Sequence, residues 1–169
     1  STLVGDGSTV QIPIQVESVR PGVVLGVVVG SEGWQVSAQE GRRMIAGLTV
    51  CIDLRAEDDL PGLYGFKMFD GFLPCGPVVV PYSDIHEGML ALGLRRNQSP
   101  VDARSTNQLR FSIPEMVSYA SHVMTLKPGD LITTGTPTRG APALEEGDAI
   151  EAWIESIGTL RTTVRWSNE

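Results

Sequence analysis

Asp53 is the first residue of this chain that calls for a chemical explanation. It sits inside the apolar run LTVCIDL (48 to 54), where a carboxylate must accept hydrogen bonds or face a site. The segment GFKMFDGFLPCGP (65 to 77) carries Lys67, one of only two lysines in the chain, and Asp70. A lysine acts as a base only where burial lowers its pKa, and on a surface it is a solvated charge. Asp70 and Thr136 belong to residue types that also brace turns by bonding nearby backbone. Thr136 lies in TGTPTRGAP (134 to 142), whose glycines and prolines shape the backbone. His122 stands among apolar helical neighbours and reads as a packed side chain, and His86 has no chemical context. Cys51 and Cys75 fit no zinc or CxxC spacing, so each reads as a reduced, packing thiol of an intracellular protein.

The rest of the composition narrows the class. A chain of 169 residues is long enough for one domain with a real core, burying roughly 70% of its unfolded surface. The net charge of -7 argues against the basic face that nucleic acids require, and the pairs Arg42-Arg43 and Arg95-Arg96 are too isolated to make one. No apolar run approaches the ~20 residues of a membrane span, and STLVGDGS lacks a signal pattern. A cytoplasmic protein without nucleic-acid or membrane partners is expected.

The elements that must position these residues are mostly strands. The first 13 residues read as loop, with Val10 to Ile14 a short edge strand interrupted by Pro13. Residues 23 to 29, VVLGVVV, form a strand covered on both faces, bounded by Pro21-Gly22 and Gly30. Ser37-Ala38-Gln39-Glu40 is a capping box opening a helix to about Ala46. Strands follow at Leu48 to Leu54, Val78 to Val80 and Leu90 to Leu94. Ser112-Ile113-Pro114-Glu115 opens the longest helix, with Met116, Val117, Ala120, Val123 and Met124 on one face, and Lys127-Pro128-Gly129-Asp130 stops it. Leu131 to Thr133, Ala149 to Ile154 and Gly158 to Trp166 complete the strands. Seven or eight strands with two or three short helices predict an α+β, mainly β roll in one domain, residues 1 to 169.

Four stretches together resemble the fumarylacetoacetate hydrolase family. They are AGLTVCIDLRAEDD (46 to 59), GFKMFDGFLPCGP (65 to 77), SHVMTLKPGDLITTGTP (121 to 137) and EEGDAIEAWIESIGTLRTTV (145 to 164), in the family's order. The resemblance covers Ser1 to Val164 and implies a mixed β-roll, usually dimeric. Its members cleave, decarboxylate, hydrate or tautomerise small oxo-acids at one Mg or Mn ion. The ion is held by a Glu-x-Glu pair and an Asp, because a hard dication takes several oxygens and chelates the substrate's enol and carboxylate.

In this chain the Glu-x-Glu positions fall on Gly22 and Val24, and Asp53 alone falls on a family ligand. No metal or other cofactor is therefore expected. The family's SARD motif places its serine on Arg55 and its arginine on Glu57. Lys67 and Asp70 match KxFD, and Thr134, Gly135 and Thr136 match the TGTP loop. The resemblance implies Asp53 and Lys67 as catalytic residues. Arg55, Asp70, Thr134, Gly135 and Thr136 would hold a small acidic molecule. The pattern is closest to the ligand-poor half of hydroxyhepta-diene-dioate isomerases and related decarboxylases, so isomerisation or decarboxylation of an unsaturated oxo/enol acid is expected. The alternatives are a metal-free isomerase or cyclase of a biosynthetic pathway, or a silent subunit paired with an intact homologue. The partner would be a second copy or that homologue. The family's N-terminal lid, with its His-Glu pair, has no counterpart in the sequence.

Overall fold

The computed structural model describes residues 1–57, 68–86, 89–135 and 141–167. Among these, ten strands make two five-stranded mixed sheets. β1 (Leu3–Val4), β5 (Leu73–Pro81), β4 (Ile45–Ala56), β3 (Val19–Val29) and β8 (Leu131–Thr133) form the first in that spatial order. The second runs β2 (Ser8–Ile12), β10 (Gly158–Trp166), β9 (Ala149–Ile154), β6 (Ala91–Arg96) and β7 (Ser99–Ser105). The expected mainly β, α+β roll is what the chain forms.

Side chains alternate across a strand, so β3 and β4 each present two faces. Val23, Leu25, Val27 and Val29 on β3, with Leu48, Val50, Ile52 and Leu54 on β4, join one apolar cluster with Val10, Ile12, Leu94, Ile150, Ile154 and Leu160 of the second sheet. Burying such side chains contributes roughly 1.5–3 kcal/mol each. That burial holds the sheets together and fixes the β3–β4 register. Val24 and Cys51 are buried as deeply, at 1% and 0% exposure, but stand outside this cluster, on the opposite face.

Two helices, α1 (Ala38–Met44) and α2 (Ile113–Val123), pack on each other. Both begin with the capping box read from sequence. Ser37 Oγ accepts from the Glu40 amide and Glu40 Oε2 accepts from the Ser37 amide, and Ser112 with Glu115 repeats the arrangement.

Several expectations are corrected. β3 begins at Val19, so Pro21 and Gly22 lie within the strand instead of bounding it. The opening residues contain β1 and β2, each paired in parallel to a later strand. β7 was not expected: Asn97 and Gln98 take φ of 51° and 69°, the backbone of a hairpin turn of the primed kind. On α2 only Val117 of the expected apolar face is fully buried, while Val123 and Met124 are 65% and 60% exposed. His122 is exposed as well, its Nδ1 2.8 Å from the Ser118 carbonyl.

Candidate functional site

The antiparallel register of β3 and β4 sets Arg20 opposite Arg55, Gly22 opposite Asp53, Val24 opposite Cys51 and Gly26 opposite Thr49. Residues directly opposite share a face. One face of the sheet therefore carries Gly22, Val24 and Gly26 beside Thr49, Cys51, Asp53 and Arg55. Asp53 is 7% exposed, whereas Arg55, nearer the strand end, is exposed.

The TGTP loop joins this face through β8, where Gly26 pairs with Thr133. The Leu25 amide donates to Thr134 Oγ1 at 3.3 Å, and the Thr134 amide donates to the Leu25 carbonyl at 3.0 Å. Gly135, with φ of 77°, turns the chain away just after β8. Such a φ suits a residue without a Cβ. Thr133, opposite Gly26, is the β8 residue that shares the face of Asp53 and Arg55, and Thr134 and Gly135 follow it directly, with the Thr134 hydroxyl taken up by the Leu25 amide.

Asp70 is placed differently. It lies on the turn before β5, its side chain 89% exposed. Lys67 and Thr136 lie outside the described residues.

Sequence reasoning missed three members of this face. Thr49 is 3% exposed and its Oγ1 has no hydrogen-bond partner among the described residues, an uncommon condition for a buried hydroxyl. Cys51 and Cys75 stand opposite each other on β4 and β5, their sulfurs 3.1 Å apart. Two thiols read as separate packing groups therefore form a pair. Their shared hydrogen bond, then burial, pushes the Cys51 thiol far above its ordinary range, and the same bond brings Cys75 below it. The signal for Thr49 and Cys51 was present: they stand four and two residues before Asp53, the spacing of one strand face. Gly26 makes room for both, because a Cβ there would lie 2.6 Å from Cys51 Sγ and 2.8 Å from Thr49 Cγ2.

Glu57, at the position of the family's arginine, is bound by Arg20 Nε at 2.6 Å and by Ser18 Oγ at 3.2 Å. Arg20 also donates to the Ala141 carbonyl at 2.8 Å. The charge at the family's arginine position is thus reversed, and a cation on the facing strand balances it.

The model for the C-terminal domain of fumarylacetoacetate (FAA) hydrolase matches residues 1–165. The chain belongs to the fumarylacetoacetate hydrolase family. It is 33% identical to the human mitochondrial oxaloacetate tautomerase FAHD2B over 95% of its own length, and spans 55% of that protein. The crystal structure of a 5-carboxymethyl-2-hydroxymuconate delta-isomerase from Mycobacterium smegmatis superposes with a TM-score of 0.93 at 31% identity, over 99% of this chain and 67% of that one. A maleylpyruvate hydrolase from Sphingobium, solved with manganese and pyruvate, superposes at 0.90 with 28% identity, over 99% of this chain and 62% of that one.

The donor set can be tested against such an ion. Magnesium and manganese want an octahedron of oxygens with more than one carboxylate or phosphate contribution. Around Asp53 the described face offers a glycine, a valine, a thiol and one hydroxyl. No group of three His, Cys, Asp or Glu able to hold a metal occurs among the described residues. These residues do not fit the family's ion. No helix among them is long and apolar enough to cross a membrane.

Proposed function

We propose that this chain is an isomerase- or tautomerase-type member of the family, acting on a small oxo/enol acid without a resident dication. The observation that carries the reading is the pairing of Gly22 with Asp53, which keeps one buried carboxylate on the site face and removes the ion's cage. Enol–keto conversion needs a base to move a proton between carbon and oxygen and a cation to hold the substrate's carboxylate. Asp53 moves the proton. Arg55, on the same face, and Lys67, by its place in the KxFD motif, hold the acid and steady the charge that builds on its oxygen. The Thr134-Gly135 backbone, tied to β3, closes the side. The tautomerase and isomerase names of the relatives support this substrate class.

The test is the decay of enol absorbance across a panel of oxo-acids, with and without EDTA. Turnover should survive EDTA and fall by at least about 100-fold in Asp53→Asn, with a further loss in Lys67→Ala. Turnover abolished by EDTA would overturn the reading.

A second reading, a silent subunit, is favoured by the apolar surface of α2. Tyr119, Val123 and Met124 are 76%, 65% and 60% exposed, and nearby Phe111 is 55% exposed. Such patches mark interaction surfaces. No turnover on any acid, together with tight association with a glutamate-bearing homologue, would decide for it.

A further inference from the structure

Cys51 and Cys75 occupy directly opposed positions on antiparallel neighbours β4 and β5. Such positions place Cα atoms about 4.5–5.5 Å apart, inside the window of about 4.4–6.8 Å that a disulfide spans. The sulfurs already point at each other across 3.1 Å, and closing to about 2.05 Å needs only small side-chain rotations. Burial divides the pair: Cys51 is 0% exposed, while Cys75 is partly open to solvent. Cys75 is also within 3.4 Å of the Leu73 carbonyl, to which its thiol can donate. With no three-residue metal-binding group among the described residues, the pair is not part of a described metal cluster. One accessible sulfur backed by one enclosed sulfur is the arrangement of an attacking thiol and its resolving partner.

We propose that Cys51 and Cys75 form a reversible oxidation site for hydroperoxides in the wall of the candidate site, two residues along β4 from Asp53. The Cys75 sulfur attacks the terminal oxygen of the hydroperoxide. An S–O bond forms, the O–O bond breaks, and the leaving oxygen departs as an alcohol or water with the thiol's proton. Cys75 is then a sulfenic acid. The Cys51 sulfur attacks Cys75, forming the S–S bond and expelling hydroxide, which leaves as water with the Cys51 proton. Two thiols are oxidised by two electrons and one hydroperoxide is reduced. Exchange with an external dithiol restores both thiols. The covalent link joins β4 to β5 beside the buried carboxylate, so the redox state is written into the sheet that carries the site.

The experiment titrates the pre-reduced protein with hydrogen peroxide. Free thiols should fall from two per chain to none, with an intact mass lower by two hydrogens, a cross-linked pair of tryptic peptides holding Cys51 and Cys75, and full recovery in dithiothreitol. In Cys51→Ser the reaction should stop at a Cys75 sulfenic acid that dimedone traps. In Cys75→Ser the buried Cys51 should lose its thiol at least about tenfold more slowly than the wild-type pair. Retention of both wild-type thiols in excess peroxide would overturn the proposal. So would oxidation that yields only Cys75 sulfinic acid, or only links between chains.

Discussion

The two faces of the β3–β4 pair are both buried along the middle of the strands and differently built. On the inner face Val23, Leu25, Val27, Val50, Ile52 and Leu54 are all at or below 1% exposure and belong to one continuous cluster. On the other, Val24, Thr49, Cys51 and Asp53 are all at or below 7% exposure, yet the face mixes glycines with a hydroxyl, a thiol and a carboxylate. Burial alone therefore does not separate core from site. What separates them is polar content and the small residues that leave space, because a face built only for stability fills its volume and satisfies its polar atoms.

The contrast can be sharpened by restoring what the site face lacks. Gly22→Glu with Val24→Glu places two carboxylates beside Asp53. The double variant should give manganese heat in calorimetry and a thermal midpoint raised by manganese, neither of which the wild-type chain should show. Equal binding by both would remove the distinction between this face and a metal site.

On the inner face, Ile52→Ala should cost about 2–5 kcal/mol in denaturant unfolding, through lost burial and the cavity left behind. Thr49→Val, three residues earlier on β4 and on the opposite face, should have the opposite sign. Its hydroxyl is buried without a partner among the described residues, so an apolar replacement of the same shape should stabilise by about 1 kcal/mol. Destabilisation by Thr49→Val would mean that the hydroxyl has a structural partner.

The smallest effect lies far from both faces, at the helix caps. Hydrogen bonds from Ser37 and Ser112 hold the Glu40 and Glu115 carboxyls below their ordinary value of 4.5. A lowered folded-state pKa contributes stability that is present above the unfolded value and lost as pH falls through the folded one. Acid titration followed by circular dichroism should show a small loss of helix only below pH 4.5. Glu40→Gln with Glu115→Gln should flatten it.

Much of the fold was legible in the sequence. Both capping boxes and the limits of β8, β9 and β10 follow from local chemistry, whereas α2 ends at Val123, four residues before the expected stop at Lys127-Pro128-Gly129-Asp130. β7 was not legible, because its turn uses Asn97 and Gln98 at positive φ, where glycine would have announced it. Of the candidate site, Asp53, Arg55, Thr134 and Gly135 were named from the family's motifs. Thr49 and Cys51 were legible in the alternation LTVCIDLR of β4 but carry no motif of their own, and the thiol pair was hidden because nothing local links Cys51 to Cys75.

By itself the sequence determined which segments become strands and helices, and that positions 22 and 24 bring no oxygen donors. These are properties of single residues and their near neighbours. Only the tertiary structure decided that Gly22 faces Asp53, that Cys51 faces Cys75, and that Thr49 faces Gly26 on the same side of the sheet. Cross-strand register is set by how the whole inner face packs against the second sheet, and a shift of one residue would turn every side chain of the site into the core.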